Sequence, residues 1–143
     1  YSALCLVEGL KTDGKLYTLD INEEYTSVAN HYFQKSEYNK NIQQHIGNAL
    51  DIIPTINEKF QLAFIDADKE NYSAYFDLLI DKMDIGGYII ADNVLWSGKV
   101  TKAEKDKETQ SLDSYNKKML ADNRVETILL PVRDGLMMSR KVK

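Results

Sequence analysis

Three aspartates in this sequence each follow a short apolar run, at the point where a predicted strand ends. The runs and their final residues are 15–20 with Asp20, 61–66 with Asp66, and 87–92 with Asp92. Apolar runs of this length are typical of strands buried in a parallel sheet. Open α/β sheets bind their ligands beyond the carboxyl ends of the strands. The three carboxylates are therefore the first candidates for chemistry.

Asp66 and Asp92 form the pair best suited to binding a cation. If their strands are neighbours, the strand ends lie roughly 5 Å apart and the two carboxylates face each other. Carboxylates that close repel each other unless one binds a proton or a cation lies between them. Asn93 would add a third oxygen, and an all-oxygen set without clustered His or Cys suits Mg²⁺, Mn²⁺ or Ca²⁺. The alternative is that these residues only begin turns or cap helices.

Asp20 has a separate interpretation. An acidic residue that ends the second strand of a nucleotide-binding sheet commonly accepts hydrogen bonds from the hydroxyls of a ribose. Its charge could equally favour the start of the helix that follows it in the chain. The residues around Asp20 leave both interpretations open.

Helical patterns separate the predicted strands. Apolar residues recur with the 3.6-residue period of a helix in two places. One stripe contains Tyr25, Val28, Ala29, Tyr32 and Phe33, and the other contains Tyr72, Tyr75, Phe76, Leu79, Ile80 and Met83. Asn22 and Asn71 are the expected N-caps of these helices, and Gly86 with Gly87 is expected to end the second one.

Weaker patterns complete the expected order of elements. They predict a strand at 42–46, a short helix at 50–56, a helix at 111–120, and an antiparallel pair formed by 125–130 and 136–141. Repeated alternation of strands and helices implies a mostly parallel sheet with helices on both faces. We therefore expect an α/β fold that ends in an antiparallel strand and forms one domain over residues 1–143.

Composition narrows the class of partner and the compartment. The 22 acidic residues outnumber the 18 basic residues, and the net charge of −4 argues against binding to nucleic acid. No apolar run approaches the roughly 20 residues of a membrane-spanning helix, so no membrane partner is expected. The single cysteine, Cys5, excludes an internal disulfide, and its apolar neighbours predict a buried thiol. These features favour a cytoplasmic location and a small-molecule partner.

Several segments carry a family resemblance. In this order and spacing, YSALCLVEGL, LYTLDINEEY, FIDADKENYSAYFDLL, GGYIIADNVLWSGKV and DGLMMSRK resemble the caffeoyl-CoA O-methyltransferase family of bacteria and plants, which is related to animal catechol O-methyltransferase. The resemblance spans nearly the whole chain, and FIDADKENY and DNVLWSGKV are its most specific parts. It implies a Rossmann-like fold and cation-dependent transfer of a methyl group from S-adenosylmethionine to a hydroxyl of a catechol-like or caffeoyl-type acceptor.

The resemblance also implies a role for individual residues. The expected cation ligands are Asp66, Asp92 and Asn93, and the expected contacts with S-adenosylmethionine are Ser2, Asp20, Asn48, Ala49 and Asp68. Lys69 matches the lysine that removes the proton of the substrate hydroxyl, beside Asp66 in the catalytic site. Trp96 matches a residue that borders the acceptor pocket.

Each of these roles has a structural alternative. Ala49 is equally well explained by packing, and Asp68 by a place in a turn. Lys69 is also explained as a solvated side chain at the start of a helix. Trp96 is also explained as a large side chain that anchors the loop after its strand.

In the family that the chain resembles, a strand and a glycine-rich loop come before the segment that matches Tyr1 and Ser2. We therefore expect this sequence to be the C-terminal two thirds of a polypeptide of roughly 200 to 250 residues. The preceding part would carry helices that help to form the acceptor site and a homodimer.

Two functions of other classes remain possible from the sequence. FIDAD at a strand end is also similar to the DxD motif of Mg²⁺-dependent phosphatases, in which the first aspartate attacks phosphorus. That hypothesis predicts phosphate release and no affinity for S-adenosylmethionine. The other alternative is a non-catalytic protein that binds only a metal or a partner.

Overall fold

The computed structural model describes all residues from 1 to 143. Its helices are α1 (Ser2–Glu8), α2 (Glu23–Lys35), α3 (Ala49–Thr55), α4 (Tyr72–Ile80) and α5 (Lys107–Ala121). Its strands are β1 (Leu16–Asp20), β2 (Ile42–Ile46), β3 (Phe60–Ile65), β4 (Met83–Ala91), β5 (Val125–Leu130) and β6 (Leu136–Lys141). The chain separates into two compact units, 1–56 and 57–143. None of its helices has both the length and the apolar composition needed to cross a membrane.

The first unit contains a sheet of two parallel strands. β1 and β2 pair in register from Leu16 opposite Ile42 to Asp20 opposite Ile46. The helix that connects them, α2, begins at Asn22, whose side chain accepts a hydrogen bond from the backbone N–H of Tyr25. This is the N-cap that the sequence predicts.

Most of the apolar stripe of α2 is not buried. Thr26 and Phe33 are the buried residues of this helix, whereas Tyr25, Val28 and Tyr32 are exposed. The helical period identifies which apolar residues share one face of the helix. Whether that face is buried depends on the elements that pack against it. The prediction of the helix is confirmed, and Phe33 is the one residue of its apolar stripe that is buried.

The second unit contains a four-stranded sheet in the order β3-β4-β6-β5. β3 and β4 are parallel, β6 is antiparallel to β4, and β5 is antiparallel to β6. The bounds of β5 and β6 are those predicted. The expected α/β architecture, with parallel pairs and a closing antiparallel pair, is confirmed.

One face of this sheet carries the core of the second unit. Its largest fully buried side chains include Tyr72 and Phe76 from α4, Leu112 and Tyr115 from α5, and Ile89 from β4. Side chains on a strand alternate between faces, so the neighbouring positions point away from these helices. On β3, Leu62 is 47% exposed and Phe64 is 42% exposed.

The end of α4 was predicted too late in the chain. The helix ends at Ile80, and Gly86 and Gly87 lie inside β4 rather than in the loop before it. The ammonium of Lys141 in β6 donates hydrogen bonds to the carbonyls of Ile80 and Met83, at 2.8 and 3.0 Å. Lys141 thus provides a hydrogen-bond donor for the carbonyl of Ile80, the last residue of α4. The pattern of apolar residues along the chain does not indicate this contact.

The two glycines instead lie where the pairing between β3 and β4 is irregular. The pairing register shifts between Phe60 and Leu62, and Gly86 there adopts a φ of +87°. A side chain at Gly87 would lie 3.1 Å from the carbonyl oxygen of Gln61 on β3. Glycine suits this position because a larger residue would force these closely spaced backbones to shift slightly.

Three further predictions have mixed outcomes. The helix predicted at 111–120 begins earlier, at Lys107, because the side chain of Asp106 caps it by accepting from the N–H of Thr109. Asn71 lies at the start of α4 but makes no capping hydrogen bond with its side chain. Cys5 is exposed rather than buried, since α1 buries only Val7.

Candidate functional site

The ends of β3 and β4 lie side by side, as the cation hypothesis requires. Ile65 is paired with Ala91, and the backbone N–H of Asp92 donates to the carbonyl of Ile65 at 3.0 Å. Asp66 and Asp92 therefore follow adjacent positions at the same edge of the sheet. The prediction that these two strands are neighbours is confirmed.

The ammonium of Lys69 lies at the centre of the polar residues at this edge. It donates to the hydroxyl of Tyr72 at 2.6 Å, to Oδ1 of Asn93 at 3.1 Å and to Oδ1 of Asp66 at 3.3 Å. Lys69 is only 7% exposed, although it belongs to the short 3₁₀ turn Lys69–Asn71 before α4. The alternative of a solvated lysine is therefore wrong.

Tyr72 makes the shortest of the three contacts with this ammonium. Its ring is fully buried, and its hydroxyl donates to the backbone carbonyl of Asp92 at 3.0 Å while it accepts from Lys69. Burial, together with the negative charge of Asp66, raises the pKa of Tyr72 far above the ordinary value of a phenol. The hydroxyl therefore stays protonated and remains a donor.

Trp96 also lies close to the lysine. The Lys69 ammonium is 5.7 Å from the centre of the Trp96 ring and 4.8 Å from that of the Tyr72 ring. Both distances suit an attraction between a cation and an aromatic face. Lys99 also lies 5.7 Å from the Trp96 ring.

The loop that carries Trp96 has an unusual backbone. Asn93, Trp96 and Ser97 all have positive φ angles, between 48° and 60°, which residues other than glycine seldom adopt. The N–H of Leu95 donates to the carbonyl of Asp134, and the N–H of Ser97 donates to the Asp134 carboxylate. These contacts with the turn between β5 and β6 hold the loop in its strained conformation.

The oxygens at this edge suit a hard divalent cation. Asp66 and Asn93 already direct one oxygen each at a single ammonium, so their positions accommodate a positive charge. The Asp66 side chain is 53% exposed, which leaves it accessible to a ligand from solvent. The chain has no cluster of three or more His, Cys, Asp or Glu side chains that could hold a metal. The amide of Asn93 is therefore essential to the candidate set of Asp66, Asp92 and Asn93.

Asp68 makes more contacts than a turn residue requires. Its carboxylate accepts hydrogen bonds from the hydroxyl of Tyr75 and from the side chain of Asn71. Burial, and then the hydrogen bond to Asp68, raises the pKa of Tyr75 well above its ordinary value. The predicted contact between Asp68 and a cofactor stays a prediction, but its carboxylate is held in one orientation.

The first unit holds the other predicted cofactor contacts. The N–H of Gly47 donates to the carbonyl of Asp20 at 2.9 Å, which joins the carboxyl ends of β1 and β2. Oδ1 of Asp20 accepts from the N–H of Asn22, and Oδ1 of Asn48 accepts from the N–H of Leu50. Asp20 and Asn48 thus lie at the same edge of this sheet.

The remaining two residues begin helices. Ala49 is the first residue of α3, directly after its cap Asn48, and Ser2 is the first residue of α1. Ser2 is exposed. Their contacts with a cofactor stay predictions.

Sequence reasoning missed the two tyrosines that hold these polar groups. Tyr72 and Tyr75 were assigned only to the apolar stripe of α4, yet their hydroxyls bind Lys69 and Asp68. The available signal was chemical, because a buried tyrosine hydroxyl usually requires a hydrogen-bond partner. Lys69 precedes Tyr72 by three positions, and Asp68 precedes Tyr75 by seven.

Comparisons with known proteins agree with this architecture. A sequence model of the O-methyltransferase family matches residues 1–142. The caffeoyl-CoA O-methyltransferase of Mesembryanthemum crystallinum is 36% identical over 156 residues, which cover 99% of this chain and 61% of that protein. The chain thus spans about three fifths of the length of this curated relative.

Solved structures show the same fold. An O-methyltransferase from Bacillus cereus in complex with SAH has a TM-score of 0.91 at 29% identity, covering 99% of this chain and 69% of that one. An O-methyltransferase of Streptomyces achromogenes involved in tomaymycin synthesis, in complex with SAM, has a TM-score of 0.91 at 25% identity, covering 100% and 69%. The family match extends over nearly every residue described above, and the chain belongs to the O-methyltransferase family.

Proposed function

We propose that the protein transfers a methyl group from S-adenosylmethionine to a hydroxyl of an aromatic vicinal diol, with the help of a divalent cation. One observation carries the proposal: oxygens of Asp66 and Asn93 converge on a single positive charge at the edge where β3 and β4 end. Family membership supports the transfer of a methyl group to oxygen. The relative named for caffeoyl-CoA supports a phenolic acceptor.

Five residues are the proposed contacts with the methyl donor. Asp20 would accept hydrogen bonds from the ribose hydroxyls, as acidic residues at this position of nucleotide-binding sheets do. The other contacts would come from Ser2, Asn48, Ala49 and Asp68. S-adenosylmethionine supplies an electrophilic methyl group, so its carbon–sulfur bond breaks as the new carbon–oxygen bond forms, and S-adenosylhomocysteine leaves.

Asp66, Asp92 and Asn93 would hold the cation. When bound, Mg²⁺, Mn²⁺ or Ca²⁺ would lower the pKa of the acceptor hydroxyls and make an oxyanion available near neutral pH. Lys69 would be the base that takes the hydroxyl proton, since its nitrogen lies at the edge that carries the three proposed ligands, 3.3 Å from Oδ1 of Asp66. Much of the remaining rate enhancement would come from holding the donor and the acceptor in line.

Trp96 would border the acceptor. Its loop is held in a strained conformation by Asp134, and such strain is commonly found where a structure has to present groups to a ligand. The ring offers a flat apolar face suited to an aromatic acceptor.

Several broader predictions accompany this proposal. A homodimer follows from the family resemblance, and a cytoplasmic location follows from the composition. A single methyltransferase domain over residues 1–143 is also a prediction. No observation favours the phosphatase alternative. The second aspartate of FIDAD, Asp68, accepts hydrogen bonds from Tyr75 and Asn71.

The direct test is methyl transfer by the full-length protein. Labelled S-adenosylmethionine is supplied with a panel of catechols and caffeic derivatives, with Mg²⁺ and again with a chelator. We expect transfer that stops in the chelator and returns when Mg²⁺ is restored. Transfer that survives chelation would contradict the role of the cation, and failure to methylate any diol would favour the non-catalytic alternative.

A further inference from the structure

The Lys69 ammonium contacts two of the three residues that are proposed to bind a cation. Two of the three candidate ligands, Asp66 and Asn93, each direct an oxygen at this nitrogen, at 3.3 and 3.1 Å. Both distances are within hydrogen-bonding reach, and both are longer than the roughly 2.7–2.9 Å of a strong hydrogen bond between an ammonium and a carboxylate. The side chain thus already provides one positive charge to a site that otherwise consists of oxygens.

Tyr72 provides the strongest contact with this ammonium that does not involve a candidate ligand. Its hydroxyl lies 2.6 Å from Nζ of Lys69 and also donates to the carbonyl of Asp92 at 3.0 Å. A second, longer contact reaches the carbonyl of Ile65 at 3.5 Å. Because the ring is fully buried between α4 and the sheet, the hydroxyl cannot move far.

We propose that Tyr72 is a positioning residue that holds the Lys69 ammonium on the oxygens of Asp66 and Asn93, so that lysine and divalent cation compete for the same ligands. The inference rests on the proposed function, because it assumes that these residues bind a cation. It adds a role for Tyr72 and a second role for Lys69. A divalent cation has to displace the ammonium from both oxygens before it can bind.

Charge explains the expected size of the effect. Two like charges a few ångströms apart repel strongly where water is partly excluded, so removing the Lys69 charge should tighten cation binding by at least about tenfold. Removing only the Tyr72 hydroxyl leaves the charge but frees the side chain that carries it. That change should tighten binding by a smaller factor, about threefold.

The experiment measures Mn²⁺ binding rather than activity. Free Mn²⁺ is followed by electron paramagnetic resonance in the full-length protein, and binding that persists in Asp92→Ala is subtracted as background. The variants are Lys69→Met, Tyr72→Phe and the double variant, with Lys69→Arg to restore the charge. Circular dichroism establishes that each variant is folded.

Tyr115→Phe is the matched control. Its ring packs edge-on against Tyr72 with 5.5 Å between the ring centres, and it is equally buried. Its hydroxyl has no hydrogen-bond partner, so the substitution removes a buried phenolic oxygen without touching Lys69. We expect the Mn²⁺ affinity of this variant to equal that of the unmodified protein.

The double variant decides whether Tyr72 acts through Lys69. We expect Tyr72→Phe to change the Kd for Mn²⁺ when Lys69 is present and to change it no further in Lys69→Met. We expect Lys69→Arg to keep the weaker affinity. An equal effect of Tyr72→Phe in both backgrounds would overturn the positioning role, because Tyr72 would then act through the Asp92 carbonyl.

Failure of the inference is distinguishable from failure of the proposed function. If the unmodified protein binds Mn²⁺ and Lys69→Met binds it with the same Kd, the competition is refuted while the cation site stands. If neither protein binds Mn²⁺ above background, the cation site itself is refuted and the inference falls with it. If Lys69→Met binds Mn²⁺ and the unmodified protein does not, the result supports the competition, because removing the lysine charge then makes the site available to the cation.

Discussion

The polar residues after β3 and β4 and those after β1 and β2 occupy corresponding places in their two sheets, but they are held by different contacts. Lys69 reaches Asn93, and Tyr72 reaches Asp92, across 24 and 20 positions of the chain. Asp20 and Asn48, in contrast, each accept from a backbone N–H only two positions further on. The first group depends on tertiary packing, whereas the second depends on local turns.

This difference has a consequence for function. A cation demands several oxygens at fixed distances, so its ligands have to be held by side chains from separate elements. A ribose or an adenine can be bound by a few groups that project from strand ends and helix starts. We therefore expect substitutions in the first group to abolish a function and substitutions in the second group to weaken an affinity.

The largest expected effect comes from breaking the first group. Asp92→Ala in the full-length protein should lower kcat/KM for methyl transfer by at least about 100-fold, because one of two carboxylate ligands of the cation is lost. The affinity for S-adenosylmethionine, measured by calorimetry, should stay within about twofold of the unmodified value, because the donor is bound mainly by other residues. Asp84→Ala is the control, since Asp84 lies on the same strand and its carboxylate binds Gln61 instead. Full activity in Asp92→Ala would contradict the assignment.

A smaller effect is expected from the second group. Asp20→Asn should raise the Kd for S-adenosylmethionine about tenfold, because an amide is a weaker acceptor for the ribose hydroxyls than a carboxylate. The asparagine oxygen can still accept from the N–H of Asn22, so the turn is preserved. Calorimetry measures the Kd, and Mn²⁺ binding should be unchanged. An unchanged Kd with native stability would assign Asp20 to the turn alone.

The smallest expected effect comes from two helix caps, of which only Asn48 is also a proposed contact with S-adenosylmethionine. Asn22→Ala and Asn48→Ala each remove a helix cap and should each lower the free energy of unfolding by about 1 kcal/mol. Only Asn48→Ala should also weaken the binding of S-adenosylmethionine. Urea unfolding and calorimetry on the same preparations measure both quantities. Equal loss of cofactor affinity in the two variants would mean that Asn48 has no ligand role of its own.

Part of the geometry of the candidate cation site could be predicted from the types and order of the residues. Asp66 and Asp92 were predicted to be neighbours because each ends an apolar run and the helix between them implies a parallel crossover. The structure has this pairing, with Ile65 opposite Ala91. The roles of Tyr72 and Tyr75 could not be predicted in the same way, because an aromatic stripe on a helix has the same pattern whether or not its hydroxyls bind anything.

The order of the elements from β1 to β6 and the bounds of β2, β5 and β6 were determined by the sequence alone. Local patterns suffice for these features, since a strand or a polar strand end depends on residues close together in the chain. The tertiary structure alone decided the end of α4, where Lys141 binds Ile80, and the burial of Lys69 among Tyr72, Asp66 and Asn93. Those features depend on contacts between residues far apart in the chain, and no local pattern records which residues will meet.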